Sequence, residues 1–359
     1  MNKTCRANKW LIGTLIALAL LLAAFAGICV YIDPFCHYHA PLSGYDYSIV
    51  VGNGSSMYLN DGIIRHFDFD GVITGTSMTE NFKPSEADEL FGGKFIKVPL
   101  AGSGIKETTE QLERIYSRGK TPKIVIRSLD DHAVLTDKDK VLRDYSEFNY
   151  LYNDDVFDDA NYLFNLELFL KYTREILSRP LPEGEQPLDF DRYCSWDSAT
   201  GKEAVLATYD HYDTHAEGTN FTPEDRERII ENVRCNITDI GYRHPETTFI
   251  CFFPPYSIVN WYRLQSDESL RWTLEMRRTA AEEILKCPNI KLFGFDDLYD
   301  VVCDLDNYKD VTHYNAAINS ELLKMMSSGA GQLTLDNYED YFDKNERFYS
   351  DYDYSWLRE

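Results

Sequence analysis

The sequence contains a serine and an aspartate–histidine pair whose positions suit nucleophilic chemistry. Ser77 follows Gly75-Thr76 at the end of an apolar run, and Asp310 and His313 lie three residues apart in Asp-Val-Thr-His. Near neutral pH a histidine can take the proton of a serine hydroxyl, and a carboxylate can fix the tautomer of that histidine and stabilise its protonated form. Plainer interpretations exist for both: a serine in a glycine-containing turn, and an aspartate that caps a helix beside a surface histidine.

The chain around these residues alternates between short apolar runs and helical patterns. The apolar runs predict five strands, at 70–75, 94–100, 123–127, 248–253 and 290–295. A helix is predicted after the second strand, with Gly119 as its stop, and another through 270–284, with Ser266 as its candidate cap. Strands that alternate with helices of this length predict an α/β fold with a central parallel sheet covered on both faces.

In a parallel sheet of this kind, reactive residues collect just beyond the carboxyl ends of the strands. Ser77 follows the first predicted strand, and the pair Asp310 and His313 follows the fifth. A serine at a sharp turn after a strand exposes its hydroxyl, and its own N–H can face an oxyanion. The sequence therefore predicts that the three side chains lie at one edge of the sheet.

The order of these pieces resembles that of the SGNH/GDSL hydrolase superfamily, over about 70–135 and 248–326. The similarity extends to the segments Gly75-Thr-Ser-Met-Thr-Glu-Asn-Phe82, Pro254-Pro-Tyr-Ser257 and Asp306-Asn-Tyr-Lys-Asp-Val-Thr-His-Tyr314. They are similar to segments of a group of membrane-anchored proteins from Gram-positive bacteria, which in turn resembles the D-alanyl transfer protein of teichoic-acid modification. The resemblance implies a three-layer α/β/α, flavodoxin-like domain that lies outside the cell and needs no cofactor.

Carried over residue by residue, the resemblance implies that Ser77 is the nucleophile, His313 the base and Asp310 the residue that orients the base. The oxyanion glycine of the superfamily corresponds to Gly102 or Gly104. Gly102 is preferred because it comes first after the second strand.

One departure from the superfamily concerns the oxyanion site. The superfamily usually has an Asn in a Gly-x-Asn-Asp motif after the third strand, where this chain has Arg127-Ser-Leu-Asp-Asp131. Ser128 is the candidate replacement donor, with Thr76 as a further contact beside the nucleophile, whereas Asp130 would repel an oxyanion unless it points away. Loss of one donor costs roughly 3 kcal/mol of transition-state stabilisation. The departure weakens the case for simple esterase activity more than the case for acyl transfer. The reason is that relatives which transfer acyl groups from a carrier also lack the full hydrolase set of site residues.

The N-terminus has the pattern of a membrane anchor. Segment 10–32 has 23 residues without a formal charge, and segment 1–9 has three basic residues. As a helix the apolar run spans roughly 35 Å, enough for a hydrocarbon core of about 30 Å. The positive-inside rule predicts residues 1–9 in the cytoplasm and the chain from Asp33 onward outside. A cleavable signal peptide is the alternative, because Ala24-Phe-Ala26 resembles a cleavage site, although the apolar run continues beyond it.

The predicted exported domain covers 33–335 and contains an acidic, aromatic-rich insertion at about 138–222, with a helix near 161–177. The C-terminal segment 336–359 holds eight aromatic and eight acidic residues, and its pattern predicts no definite element. Cys251 lies within an apolar strand, where a buried free thiol is expected. The histidines at positions 37 and 39 are expected to be solvated. We predict no metal site, although one cluster has suitable residue types: Asp210, His211, Asp213 and His215.

Charge limits the possible partners. The 359 residues include 59 acidic and 36 basic side chains, a net charge of −23, and after residue 32 the net charge is −26 because only 33 basic residues remain. Nucleic-acid binding through phosphate contacts is therefore excluded. The leading hypothesis is an acyltransferase or esterase that acts on a cell-surface polysaccharide or teichoic-acid-type polymer, with an acyl donor and a membrane-bound O-acyltransferase as the expected partners. The alternative is a non-catalytic surface or assembly protein that keeps the scaffold.

Overall fold

The computed structural model describes residues 3–52, 56–134, 137–209 and 220–358. The α-helices are α1 (Lys3–Ile32), α2 (Ser56–His66), α3 (Pro84–Phe91), α4 (Ile105–Ser117), α5 (Asp131–Val134), α6 (Asn149–Tyr152), α7 (Ala160–Leu163), α8 (Leu166–Leu168), α9 (Arg174–Leu177), α10 (Lys202–Thr208), α11 (Pro223–Val233), α12 (Asp239–Arg243), α13 (Ile258–Ser266), α14 (Leu270–Ile284), α15 (Tyr299–Val302), α16 (Ala316–Ser328) and α17 (Tyr338–Asp351). The strands are β1 (Gly71–Gly75), β2 (Phe95–Pro99), β3 (Ile124–Ser128), β4 (Thr248–Phe253), β5 (Ile290–Gly294) and β6 (Gln332–Leu333).

A six-stranded sheet forms the centre of the fold, in the order β2-β1-β3-β4-β5-β6. The first five strands of the chain pair in parallel, and only β6 is antiparallel, against β5. Every residue of β1 and β2 is buried, as expected for strands covered on both faces. All five predicted strands are confirmed, and so is the mixed α/β class with a mostly parallel central sheet.

Two local predictions about helices have different outcomes. The helix after the second strand is α4, and Gly119 follows it with a φ of +73°, so the predicted stop is confirmed. The predicted cap at Ser266 is wrong, because Ser266 is the last residue of α13 and Ser269 occupies the N-cap of α14. The residues between the two helices, Asp267 and Glu268, instead form a turn in which Glu268 has a φ of +61°.

The C-terminal segment forms α17, which the sequence did not predict. Its buried residues are Tyr341, Phe342, Asn345 and Tyr349, spaced so that they lie on one face of the helix. The ring of Tyr349 stacks on Trp261 of α13 with 4.0 Å between centroids. Aromatic residues therefore form the packed face of this helix, while its acidic residues are mostly exposed.

The chain divides into two compact units. Unit 1 comprises residues 1–67 and 145–189, and unit 2 comprises residues 68–144 and 190–359, including the sheet. The predicted insertion at 138–222 is thus divided between the units, and the helix expected near 161–177 is interrupted between α7 and α8. The central part of the insertion belongs to unit 1 because it bonds to the N-terminal residues. For example, Asp154 of the insertion forms an ion pair with Arg65 of α2 at 2.7 Å.

Asp33, directly after α1, is the centre of a buried network in unit 1. Its carboxylate accepts the backbone N–H groups of residues 37, 38 and 39 and the hydroxyl of Tyr162. His37 is buried and its Nε2 lies 3.0 Å from Asp159. His39 is half-buried, and its ring nitrogens lie within 2.8 Å of two backbone carbonyl oxygens. The expectation of a solvated side chain is therefore wrong for His37, whereas His39 stays partly exposed.

α1 contains a segment, Asn8–Ile32, that is long and apolar enough to cross a membrane. Only 11% of its most apolar window is buried by the protein. Most of its leucine and isoleucine side chains are therefore exposed at the protein surface. An apolar surface of this size is typical of contact with another apolar environment.

Candidate active site

The position of Ser77 is fixed by the end of β1. Gly75 is the last strand residue, with a φ of +137°, and Ser77 begins a short 3-10 turn that ends at Thr79. Thr76 caps this turn, because its hydroxyl accepts the N–H of Met78 at 3.3 Å. Asn319 of α16 also holds the turn, through a 3.2 Å bond to the carbonyl oxygen of Met78. The serine hydroxyl is thereby presented directly beyond the carboxyl end of the strand.

The loop that carries Asp310 and His313 folds back on itself. Tyr308 and Tyr314 form an antiparallel bridge, and Lys309 N–H donates to the carbonyl oxygen of His313 at 3.0 Å. The Tyr308 hydroxyl also donates to a carbonyl oxygen in the β4–α13 connection at 2.8 Å. The loop is therefore closed at its base and joined to the neighbouring connection.

Asp310 does not cap the helix that follows. Asn315 is the N-cap of α16, and its side chain accepts the N–H groups of residues 317 and 318. The Oδ1 atom of Asp310 instead accepts the backbone N–H groups of Thr312 at 2.9 Å and His313 at 2.8 Å. The plainer interpretation, an aspartate cap beside a surface histidine, is therefore wrong.

The structure brings Ser77, His313 and Asp310 into one hydrogen-bonded chain. Ser77 Oγ lies 2.7 Å from His313 Nε2, and His313 Nδ1 lies 2.8 Å from Oδ2 of Asp310. Burial disfavours the ionised form of Asp310, but its bonds to His313 outweigh this effect and hold the pKa of the carboxyl well below its ordinary value. The expected arrangement of a hydroxyl, an imidazole and an ionised carboxylate is thus present.

Two backbone N–H groups, those of Ser77 and of Gly102 in the turn after β2, are candidate oxyanion donors. Gly102 has a φ of +71° and occupies a turn that is closed by the Ser103 N–H bond to the carbonyl oxygen of Leu100, at 3.2 Å. Gly104 instead has extended backbone and is the N-cap of α4. Within the described part of the chain, neither Ser77 N–H nor Gly102 N–H donates to a protein acceptor. Both groups are therefore available to a ligand.

The segment that departs from the superfamily forms a closed network around Asp130. Ser128 and Thr76 both donate their hydroxyl hydrogens to Oδ2 of Asp130, at 2.8 and 2.7 Å, and Tyr256 donates to Oδ1 at 3.0 Å. Ser128 Oγ also accepts the N–H of Thr76 at 3.3 Å. In this arrangement the Ser128 hydrogen is directed at Asp130 and not toward an oxyanion, contrary to its expected role, and the same holds for Thr76.

Three further residues surround His313, and sequence reasoning missed them. The Trp196 ring lies edge-on to the imidazole with 6.1 Å between centroids, and Lys309 Nζ lies 3.5 Å from the centre of the Trp196 ring. Glu80 is buried, and burial raises the pKa of its carboxyl to about 7 against the attraction of His313 and Lys309. Glu80 and Lys309 lie within the motif segments, whereas no spacing connects Trp196 to the site.

Among the described residues, no group of three or more His, Cys, Asp or Glu side chains is arranged to hold a metal ion. The cluster from Asp210 to His215 that the sequence suggested lies outside the described residues. Cys251 is a free thiol buried in β4, as expected.

Comparison with protein-family models, with curated proteins and with solved structures found no match for this chain.

Gly75→Ala is expected to lower the free energy of unfolding by about 3 kcal/mol or more, from a strained φ and overpacking combined. An ideal Cβ at Gly75 would lie 2.3 Å from Ser128 Oγ. Gly119→Ala is the matched control, since Gly119 also has a positive φ but has no atom within 4 Å of its Cβ position, and it should cost about 1–2 kcal/mol. Chemical denaturation of the two variants tests this, and equal losses would show that contact with Ser128 is unimportant.

Proposed function

We propose that this chain is an SGNH-like enzyme that moves an acyl group through Ser77. The observation that carries the proposal is the chain of contacts from Ser77 Oγ to His313 Nε2 and from His313 Nδ1 to Asp310. The strand order supports it, because β2-β1-β3-β4-β5 is the order of flavodoxin-like doubly wound sheets, and a three-layer α/β/α domain would follow.

The chemistry follows from the positions of the three side chains. Ser77 Oγ attacks the carbonyl carbon of an ester while His313 Nε2 takes its proton, and Asp310 stabilises the imidazolium that results. Collapse of the tetrahedral intermediate breaks the bond to the departing alcohol, which receives the proton from His313. The acyl group is then esterified to Ser77. A second alcohol, or water, reverses these steps and receives the acyl group.

The oxyanion of the intermediate would be held by two backbone donors, the N–H groups of Ser77 and Gly102. The side-chain donor that the superfamily usually adds is not supplied by Ser128, whose hydroxyl donates to Asp130. A site with fewer donors stabilises the transition state less. We therefore favour transfer of the acyl group to a bound alcohol over hydrolysis by water. When the site binds both the acyl donor and the acceptor alcohol, their proximity lowers the barrier.

We propose that α1 anchors the enzyme, with residues 1–9 in the cytoplasm and the sheet-containing unit outside the cell. The acceptor or donor would be a cell-surface polysaccharide or teichoic-acid-type polymer, and a membrane-bound O-acyltransferase would be a fitting source of acyl groups. Trp196 gives this idea a structural basis, because an indole beside His313 can pack against a sugar ring. Recognition must be local, since a net charge of −26 after residue 32 does not attract an anionic polymer.

Labelling of the full-length protein by a fluorophosphonate tests the proposal directly. The reagent should form a covalent adduct at Ser77, located by mass spectrometry, and Ser77→Ala and His313→Ala should each abolish the adduct. Ser117→Ala, which changes an exposed serine at the end of α4, should label like the wild type. A folded wild type that does not react would favour the alternative, a non-catalytic scaffold protein. The structural argument for that alternative is that the Ser128 hydroxyl donates to Asp130 and is not available as an oxyanion donor.

A further inference from the structure

Unit 1 has a group of exposed apolar side chains between residues 156 and 177, on α8, α9 and the turns that precede and join them. Six large apolar side chains of this segment are between 39% and 88% exposed. Surfaces that face water seldom have so many exposed apolar side chains in one short segment. We call them the apolar patch: Val156, Phe157, Phe164, Leu166, Leu170 and Leu177.

The patch includes one continuous helical stretch, which runs from α8 through a π-helical turn to α9. Leu166, Leu170 and Leu177 are spaced by four and seven residues, so they lie along one face of it. Residues 168, 172 and 176 are buried on the opposite face. The stretch thus presents apolar side chains on both faces, and only one of these faces is covered by the protein.

The patch is continuous with the candidate membrane helix. Phe25 of α1 stacks on Phe164 with 6.5 Å between ring centroids, and its ring lies tilted against that of Phe169 with 4.6 Å between centroids. Phe25 lies five residues beyond Leu20, the midpoint of the segment Asn8–Ile32. Five residues correspond to about 7.5 Å of helix rise, and the hydrocarbon core extends about 15 Å from its centre. If α1 spans a bilayer, Phe164 and Phe169 lie at a depth where the surroundings are acyl chains.

We propose that the apolar patch is embedded in the same bilayer as α1, in the half that contains the end of α1 near Ile32. Acyl chains would cover the apolar patch, as they cover the apolar face of an interfacial helix. Lys171 and Arg174, which are exposed beside the leucine face, have side chains long enough to reach the headgroups. The protein is then held by a transmembrane helix and by a second, non-spanning element. This inference rests on the membrane anchoring proposed above.

Quenching of tryptophan fluorescence by brominated lipid tests the placement in the full-length protein. The wild type and three single variants would be reconstituted in nanodiscs of phosphatidylcholine, with or without bromine on the acyl chains. Leu170→Trp probes the apolar patch, Leu18→Trp probes α1, and Leu335→Trp probes an exposed position in unit 2. The emission of the added tryptophan is obtained by subtracting the wild-type spectrum, because the chain has five native tryptophans.

The expected result is strong quenching and a blue-shifted maximum for Leu18→Trp and Leu170→Trp, and no quenching for Leu335→Trp. Quenching at position 18 without quenching at 170 would overturn the placement of the patch while leaving the anchor in place. Quenching at neither position would overturn the anchor itself and the placement with it. A blue-shifted but unquenched signal at 170 would show that protein, such as a second copy of the chain, covers the patch, and would also overturn the proposal.

Discussion

Asp310→Asn is expected to slow fluorophosphonate labelling of Ser77 by about four orders of magnitude, the loss that follows when the base takes the wrong tautomer. Oδ1 of Asp310 accepts both backbone N–H groups of the loop, and Oδ2 faces His313 Nδ1 at 2.8 Å. An asparagine keeps the first role through its own oxygen. Its NH₂ group then faces Nδ1, so the imidazole proton moves to Nε2, and Nε2 no longer accepts the proton of Ser77.

The measurement is the second-order rate constant of labelling, followed together with the thermal unfolding temperature. Asp304→Asn is the control, because Asp304 also accepts a backbone N–H in a turn six residues away, from Asp306 at 3.0 Å. Asp304→Asn should label at nearly the wild-type rate. A folded Asp310→Asn protein that labels at the wild-type rate would remove Asp310 from the proposed mechanism, whatever the role of Ser77.

The sheet and the three central site residues were predictable for a shared physical reason. Strands buried on both faces need continuous apolar runs, and such runs are visible in a sequence without any tertiary information. The turn after β1 needs Gly75 because a Cβ there would contact Ser128, so the glycine marks the position of Ser77. Asp310 and His313 are close in sequence, and one short loop holds them both. Local sequence was therefore sufficient to predict the positions of these three residues.

Residues that reach the site from a distance were not predictable. Trp196 contacts His313 across more than one hundred residues of chain, and no periodicity records such a contact. The role of Ser128 was also misjudged, because its partner Asp130 is determined by how three hydroxyl groups converge. Unit 1 was missed for the same reason, since residues 145–189 join the N-terminal residues only through packing and buried bonds such as Tyr162 to Asp33.

A second large effect is expected from Arg277→Met, which should lower the free energy of unfolding by about 3–5 kcal/mol. Arg277 of α14 is fully buried and binds two carboxylates: Asp131, just after β3, at 2.5 and 2.8 Å, and Asp296, just after β5, at 2.5 Å. It therefore ties the carboxyl ends of two strands to one helix. Methionine is similar in size but leaves the buried carboxylate of Asp296 and the partly exposed carboxylate of Asp131 without their cation.

Chemical denaturation measures the loss, and Arg271→Met is the control on the same helix. Arg271 is largely exposed and pairs with Glu346 at 2.9 Å. Exposed ion pairs contribute little to stability, so this variant should unfold like the wild type. If the two variants lost the same free energy of unfolding, the carboxylates left without Arg277 would not be the cause.

The pH dependence of the Arg277→Met defect separates charge from packing. Burial raises the pKa of Asp296 to about 6 even with Arg277 present, above the value of about 3.9 for an unfolded chain. A carboxyl with a raised pKa stabilises the fold when protonated, at low pH, and this contribution is lost as the pH rises through the pKa of the folded state. Removing the cation moves that pKa higher. The free energy of unfolding of the variant should therefore be further below that of the wild type at pH 8 than at pH 5. A cavity left by poor packing would instead lower the free energy of unfolding equally at both pH values.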